Sequence, residues 1–230
     1  MHPPAPFFVA DAETQMISDN APATPGFFIT GVRVEGPSLK TLLPRSELND
    51  EIINAYFRLL NQYPYKHANF WCTNSFFFKH VSADDQAKAR RYLLPKNMGD
   101  RQVGQLFVPL HLHQPKHWVL AVIDLDWKVI SIYDSCFVPD GRIEFRTLFE
   151  WFQVEFPGIW TMELKKNAPQ QDNAYDCGVF CVFVAACILR GEPLTFQQSD
   201  LDRNLARIQL CIQLRPAPLS GQDGVSDNEL

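Results

Sequence analysis

The chain has 230 residues, 46% hydrophobic and 13% aromatic, enough to bury a substantial core as one domain. With 21 basic against 26 acidic residues, a net charge of -5 and no dense Lys/Arg segment, it has no electrostatic footprint for a nucleic-acid backbone. Six cysteines (Cys72, Cys136, Cys177, Cys181, Cys187, Cys211) without a C-x-x-C pair suggest neither a disulfide framework nor a zinc knuckle, and read as reduced thiols of a nuclear or cytoplasmic protein.

The first twenty residues lack the basic start and apolar centre of a signal peptide. The longest apolar run, residues 177–189, falls short of the roughly 20 residues that cross a bilayer. No membrane association is expected. Residues 1–35, rich in Pro, Ala, Thr and Gly, and the polar, acidic residues 216–230 read as flexible ends around a folded body at 36–215.

In chain order, "ELNDEIINAYFRLLNQY" repeats apolar residues at three and four positions and predicts an amphipathic helix, capped by Ser46 or Asn49. "SADDQAKARRYLL" predicts a second, exposed helix with Ser82 as its N-cap and charges matched to its dipole. "VGQLFVPLHL", "HWVLAVIDL" and "KVISIYDS" read as three adjacent strands, the last two joined through the turn at "DLDW". A helix ("RTLFEWFQVEF"), a strand ("IWTMELKK"), a polar loop ("NAPQQDNAY"), an apolar helix from Asp176 and a last helix over about 196–214 complete the pattern. Helices, then strands, then helices favour α+β over a doubly wound sheet.

The polar loop gives way to the apolar helix at Cys177. A helix apolar all round is buried, and its N-terminus, where N–H groups lack partners, favours an anion such as a thiolate. Gly178 lets another chain or a substrate approach the backbone. The plain alternative, a small buried hydrophobe, suits Cys181, Cys187 and Cys211 better than a cysteine on this boundary. A thiol nucleophile needs an imidazole to exchange its proton and a third group to orient that ring. His117 begins one predicted strand and Asp134 ends the next, so a hairpin through residues 124–128 brings them to the same end. Gln171 and Gln170, in the loop feeding the helix, each offer an amide for an oxyanion beside the Cys177 N–H, and position alone does not separate them. His111, His113 and His117 raise a metal alternative, which Pro115 and the intervening loop disfavour.

The ordered motifs "LNDEIINAYFRLL", "NSFFF", "LFVPLHL", "HWVLAVIDL", "ISIYDS", "PQQDNAYDCGVF" and "LTFQQSDL" resemble the SUMO-specific, or Ulp-type, cysteine proteases, relatives of the adenovirus protease. The resemblance implies a papain-like fold with the order His, Asp, Cys and a central mixed sheet packed by helices. It assigns Cys177 as nucleophile, His117 as general base and acid, Asp134 as its orienting partner and Gln171 as oxyanion donor. Trp118 matches the tryptophan beside a narrow channel for a Gly-Gly tail, and Asp50 an aspartate that meets the modifier. The family's second channel tryptophan is replaced by Glu47, which implies a looser clamp or a wall supplied by another residue such as Trp71. The implied partner is a ubiquitin-like modifier, SUMO or alternatively NEDD8, with its conjugates, acted on by a monomer without cofactor or metal. A module that only binds such a modifier is the alternative of another class.

Overall fold

The computed structural model describes residues 27–29, 32–62, 69–94, 103–139 and 141–201. Two short antiparallel strands, β1 (Phe27–Ile29) and β2 (Val32–Val34), precede a helical turn α1 (Gly36–Leu39) and helix α2 (Asp50–Leu60). Val34 is fully buried in the core, so the folded body begins ahead of the boundary expected at residue 36. The expected acidic tail at 216–230, and most of the last expected helix, lie outside the described residues.

Helix α2 starts where Asn49 Oδ1 accepts the N–H of Ile52, so Asn49 rather than Ser46 is the cap. Strand β3 (Phe70–Cys72), helix α3 (Phe76–Ser82) and helix α4 (Gln86–Leu93) follow. Ser82 is therefore the last residue of α3, not the start of the next helix. Between them Asp84 takes a left-handed φ of 55°, which ends one helix, and the Asp85 carboxylate caps the next by accepting the Lys88 N–H.

The three expected strands are β4 (Gln105–His113), β5 (Lys116–Asp124) and β6 (Val129–Tyr133), followed by α5 (Ile143–Glu155), β7 (Thr161–Leu164) and α6 (Cys177–Arg190). They form one mixed sheet in the order β3-β4-β5-β6-β7, with antiparallel pairs in the middle and a parallel pair at each edge. The fold is α+β, a mixed sheet packed by helices.

Side-chain alternation divides the sheet's faces between two apolar clusters. Phe107, Trp118, Leu120 and Val122 pack with α2 and α6, whereas Leu106, Val108, Leu110, Val119 and Ala121 pack with α3, α4 and α5. Eleven of the fourteen residues of α6 are buried. Val179, Phe180, Val182, Val184 and Leu189 each contribute about 1.5–3 kcal/mol by leaving water. A shift of α6 along its axis would expose several of them, so packing fixes where Cys177 stands. Gly191, left-handed at φ 69°, ends the helix, its N–H and that of Glu192 capping the last carbonyls.

At the other end of α6, Gly178 has a packing reason rather than a need for space around a ligand. A Cβ there would lie 2.9 Å from Leu48 Cβ, 3.2 Å from Trp118 Cδ1 and 3.4 Å from Ile53 Cδ1. Leu48 Cβ moves only with its backbone, so the Gly178→Ala variant is expected to lose about 1–3 kcal/mol of stability in denaturant unfolding. An unchanged unfolding midpoint would show that α2 and α6 are not in tight register at this point.

Candidate active site

Cys177 is the first residue of α6, and the Asp176 side chain ahead of it makes no capping bond to the helix. The Asp176 carboxylate instead accepts from Asn173 Nδ2 (2.7 Å) and Gln198 Nε2 (2.5 Å), while Asn173 Oδ1 accepts the N–H groups of Tyr175 and Asp176. The loop is thus held by its own polar groups, and no capping side chain lies over the helix start.

His117, near the beginning of β5, pairs in register with Leu112 of β4. Its Nε2 lies 2.6 Å from Asp134 Oδ1, one residue beyond β6. Since Nε2 is engaged by the carboxylate, Nδ1 is the ring nitrogen left to meet the hydrogen-bonded Cys177 side chain. The three groups are 5%, 3% and 4% exposed for His117, Asp134 and Cys177. The start of a strand is thus enclosed rather than open to solvent at His117.

Enclosure sets the charges. Burial works against the imidazolium, yet the hydrogen bonds to Asp134 and Cys177 and the electrostatic attraction of both outweigh it, raising His117 to about 9. Burial also opposes the Asp134 carboxylate, and the bonds from His117, the Cys136 N–H and Arg142 overcome that and hold it below the usual range. Asp134 Oδ1 accepts the Cys136 N–H at 2.8 Å, and Oδ2 accepts Arg142 Nε at 2.9 Å.

The two glutamines that position alone left equivalent make different bonds. Gln170 ties two loops together, donating to the carbonyls of Asp134 (2.9 Å) and Ala168 (3.0 Å) and accepting the Phe137 N–H at 3.0 Å. Gln171 receives the Ser135 hydroxyl on Oε1 at 2.6 Å, and its Nε2 donates to the Asn173 carbonyl. That second arrangement fixes the amide plane and leaves one N–H of Nε2 beside the loop that leads to Cys177.

Trp118 donates its indole N–H to the Leu48 carbonyl at 2.9 Å and so binds the segment ahead of α2 to β5. Glu47, Asp50 and Trp118 line one groove of about 370 Å³ with Phe76, Lys79 and His111. It runs up to Leu48 and Trp118, the same two residues that pack on Gly178 beside the sulfur. His111 stacks on Trp118 with ring centroids 4.3 Å apart. Trp71 does not supply the missing wall, because it lines a different hollow with Arg58, Asn61 and Arg91. Pairing across the β4-β5 hairpin puts His111 and His113 on the face opposite His117. Among the described residues no group of three His, Cys, Asp or Glu side chains is placed to hold a metal ion. No described helix is long and apolar enough to cross a membrane.

Sequence reading missed Arg142, Ser135 and the stacking role of His111. The first two announce themselves only once residues 134–142 and 168–171 are folded against each other; for His111 the signal was its register opposite Trp118.

In an NMR titration, His117 is expected to keep its second proton until about pH 9. Asp134→Asn removes the partner that raises it, so the transition is expected to fall toward the ordinary 6.5. The stabilisation carried by this pair is complete below 6.5 and is lost as pH rises through 9. A wild-type transition near 6.5 would contradict the geometry.

A model of the Ulp1 protease family, C-terminal catalytic domain, matches residues 46–213. The ubiquitin-like-specific protease ESD4 of Arabidopsis thaliana is 30% identical over 190 residues, 75% of this chain and 38% of that protein. Sentrin-specific protease 5 of Mus musculus is 30% identical over 182 residues, 75% of this chain and 24% of that protein. The chain thus spans less than two fifths of the length of either relative. Among solved structures, the C-terminal Ulp1 protease domain in complex with Smt3, the yeast ortholog of SUMO, matches with a TM-score of 0.73 at 23% identity, over 91% of this chain and 98% of that one. At that identity the likeness establishes the fold. With the family model spanning the groove, the imidazole pair and the helix that begins at Cys177, the chain belongs to the Ulp1 protease family and carries its C-terminal catalytic domain.

Proposed function

We propose that this chain is a cysteine peptidase that cleaves after the C-terminal Gly-Gly of a ubiquitin-like modifier, with SUMO as the preferred one. It would release the modifier from a lysine side chain or from a precursor extension. The observation that carries the reading is the 2.6 Å contact between His117 and Asp134, with Cys177, first residue of a buried helix, acting on the same imidazole.

His117 stands charged, with Nδ1–H toward the sulfur, and stabilises the Cys177 thiolate that attacks the terminal glycine carbonyl. The oxyanion meets the Cys177 backbone N–H and the Gln171 amide. As the intermediate collapses, the carbon–nitrogen bond breaks and His117 returns the proton to the leaving amine. His117, neutral after giving that proton away, then deprotonates the water that opens the thioester, which releases the modifier as a free acid and leaves the thiolate beside the charged ring. Asp134 holds the ring and stabilises its charged form throughout. The reaction needs no cofactor.

Cys177 is only 4% exposed, which suits a tail without side chains: glycine alone presents a carbonyl through a slot that a Cβ would block. Trp118, Glu47 and Asp50 line the approach, with Glu47 in place of an aromatic wall. The relatives' names, a sentrin-specific and a ubiquitin-like-specific protease, and the Smt3 complex of a structural relative support the choice of modifier. All groups of the reaction come from one chain, which supports a monomer.

A panel of SUMO, NEDD8 and ubiquitin probes with C-terminal electrophiles tests both halves. SUMO is expected to label the wild type at Cys177 and to leave Cys177→Ala unlabelled; preferential labelling by NEDD8 would move the substrate, and labelling of the alanine variant would remove Cys177 from its role. His117→Ala is expected to lower kcat by about 10²–10⁴-fold while KM for the modifier changes little. Equal losses in both would mark His117 as structural. Glu47→Trp is expected to tighten selection for glycine at the last two positions, and unchanged selectivity would show this wall to be idle.

A further inference from the structure

The Asp134 carboxylate serves His117 through Oδ1 alone. A single hydrogen bond leaves a carboxylate free to turn about its Cβ–Cγ bond, and a turned group would present its oxygen edge elsewhere. Two other contacts remove that freedom. The Cys136 N–H shares Oδ1 at 2.8 Å, and Arg142 Nε approaches Oδ2 at 2.9 Å. Arg142 is fixed in turn, because its Nη2 donates to the Cys136 carbonyl at 3.0 Å. The guanidinium therefore closes residues 134–142 into a clamp, with one arm on the carboxylate and one on the backbone beside it.

We propose that Arg142 is a positioning residue for the thiol chemistry, acting through Asp134 to hold the His117 imidazole in line with Cys177. This rests on the reading of Asp134 and His117 as the pair that serves the sulfur. Its weight comes from shielding: 13% of the Arg142 side chain and 4% of that of Asp134 are exposed. Surface ion pairs contribute little because water and salt screen them, whereas this one is largely sheltered. Among the described residues, the charged groups bonded to the carboxylate are His117 from β5 and Arg142 at the start of α5, with Cys177 of α6 acting on the imidazole. The two cations share one carboxylate. Removing Arg142 thus loosens the geometry and also changes the charge that Asp134 offers the imidazole.

Arg142 also stands at the N-cap position of α5, where a guanidinium has no acceptor to offer a helix N–H, and its donors go to the clamp instead. A lysine would keep the charge on Asp134 and lose the fork that reaches the Cys136 carbonyl.

The test needs no modifier. The rate of Cys177 alkylation by iodoacetamide is followed across pH, with mass spectrometry separating Cys177 from the exposed Cys136, and the downfield His117 Nε2–H proton is recorded by NMR. Arg142→Gln is expected to slow alkylation at neutral pH about tenfold, in the range of outer-contact losses, and to broaden or remove the downfield proton. Arg142→Lys should recover part of both, and guanidinium ion added to Arg142→Ala should restore the rate. Should the glutamine variant fail to fold, the lysine variant and the guanidinium rescue decide. Alkylation profiles and proton signals that superimpose on the wild type in these variants, with no rescue, would overturn the proposal. A wild type that alkylates as expected but ignores every diglycine probe would count against the substrate reading alone.

Discussion

The contact of 2.6 Å between His117 Nε2 and Asp134 Oδ1 is the constraint on which the site depends. It links the start of β5 to the end of β6, commits one ring nitrogen to a carboxylate and turns the other toward Cys177. An imidazole buried without that partner would shed its proton, because burial disfavours the charged form. With the partner, the charged ring persists to about pH 9. The chemistry and the local fold therefore share one bond, and the sheet register that makes the hairpin is also what makes the proton carrier.

Around this bond the molecule fixes each remaining group by packing on one side and a hydrogen bond on the other. Cys177 is placed by the apolar sides of α6, which cannot slide without exposing several large side chains. Trp118 is placed by the Leu48 carbonyl and by Gly178, the only residue small enough to let Leu48 approach so closely. Gln171 is oriented by Ser135, the neighbour of Asp134, so that the carboxylate and the amide are set by the same pair of loops. Gln170 and Arg142 both bind Asp134, one at its carbonyl and one at its carboxylate. Displacing one of them would be felt at the imidazole.

The elements legible in the sequence were those long enough to show a period. The alternating or continuous apolar runs at 105–113 and 116–124 and the three-four repeat at 50–60 have no other sensible reading. Three-residue β3 is too short to show alternation, and α3 opens on three consecutive phenylalanines that mask the helical period. Ser82 looked like a cap because Asp84 and Asp85 follow it, but the turn is made by the left-handed Asp84 and the cap by Asp85. The junction at Cys177 was visible as a change from polar to apolar residues, and the pairing of His117 with Asp134 followed from the hairpin. Arg142 was invisible, since its partner is eight residues away across an irregular loop with no pattern to read. Glu47 and Trp71 show the limit of matching residue types by position: Trp71, the aromatic residue offered in exchange, lines a different hollow.

The central claim is that Cys177 forms a covalent bond to the terminal glycine of a modifier while His117 carries the proton. An acid-quenched single turnover with a SUMO substrate, followed by peptide mapping, tests it directly. A hydroxylamine-sensitive thioester on Cys177 that builds up before free modifier appears is the result predicted. Cleavage without any such adduct, or an adduct on the exposed Cys136 instead, would contradict it.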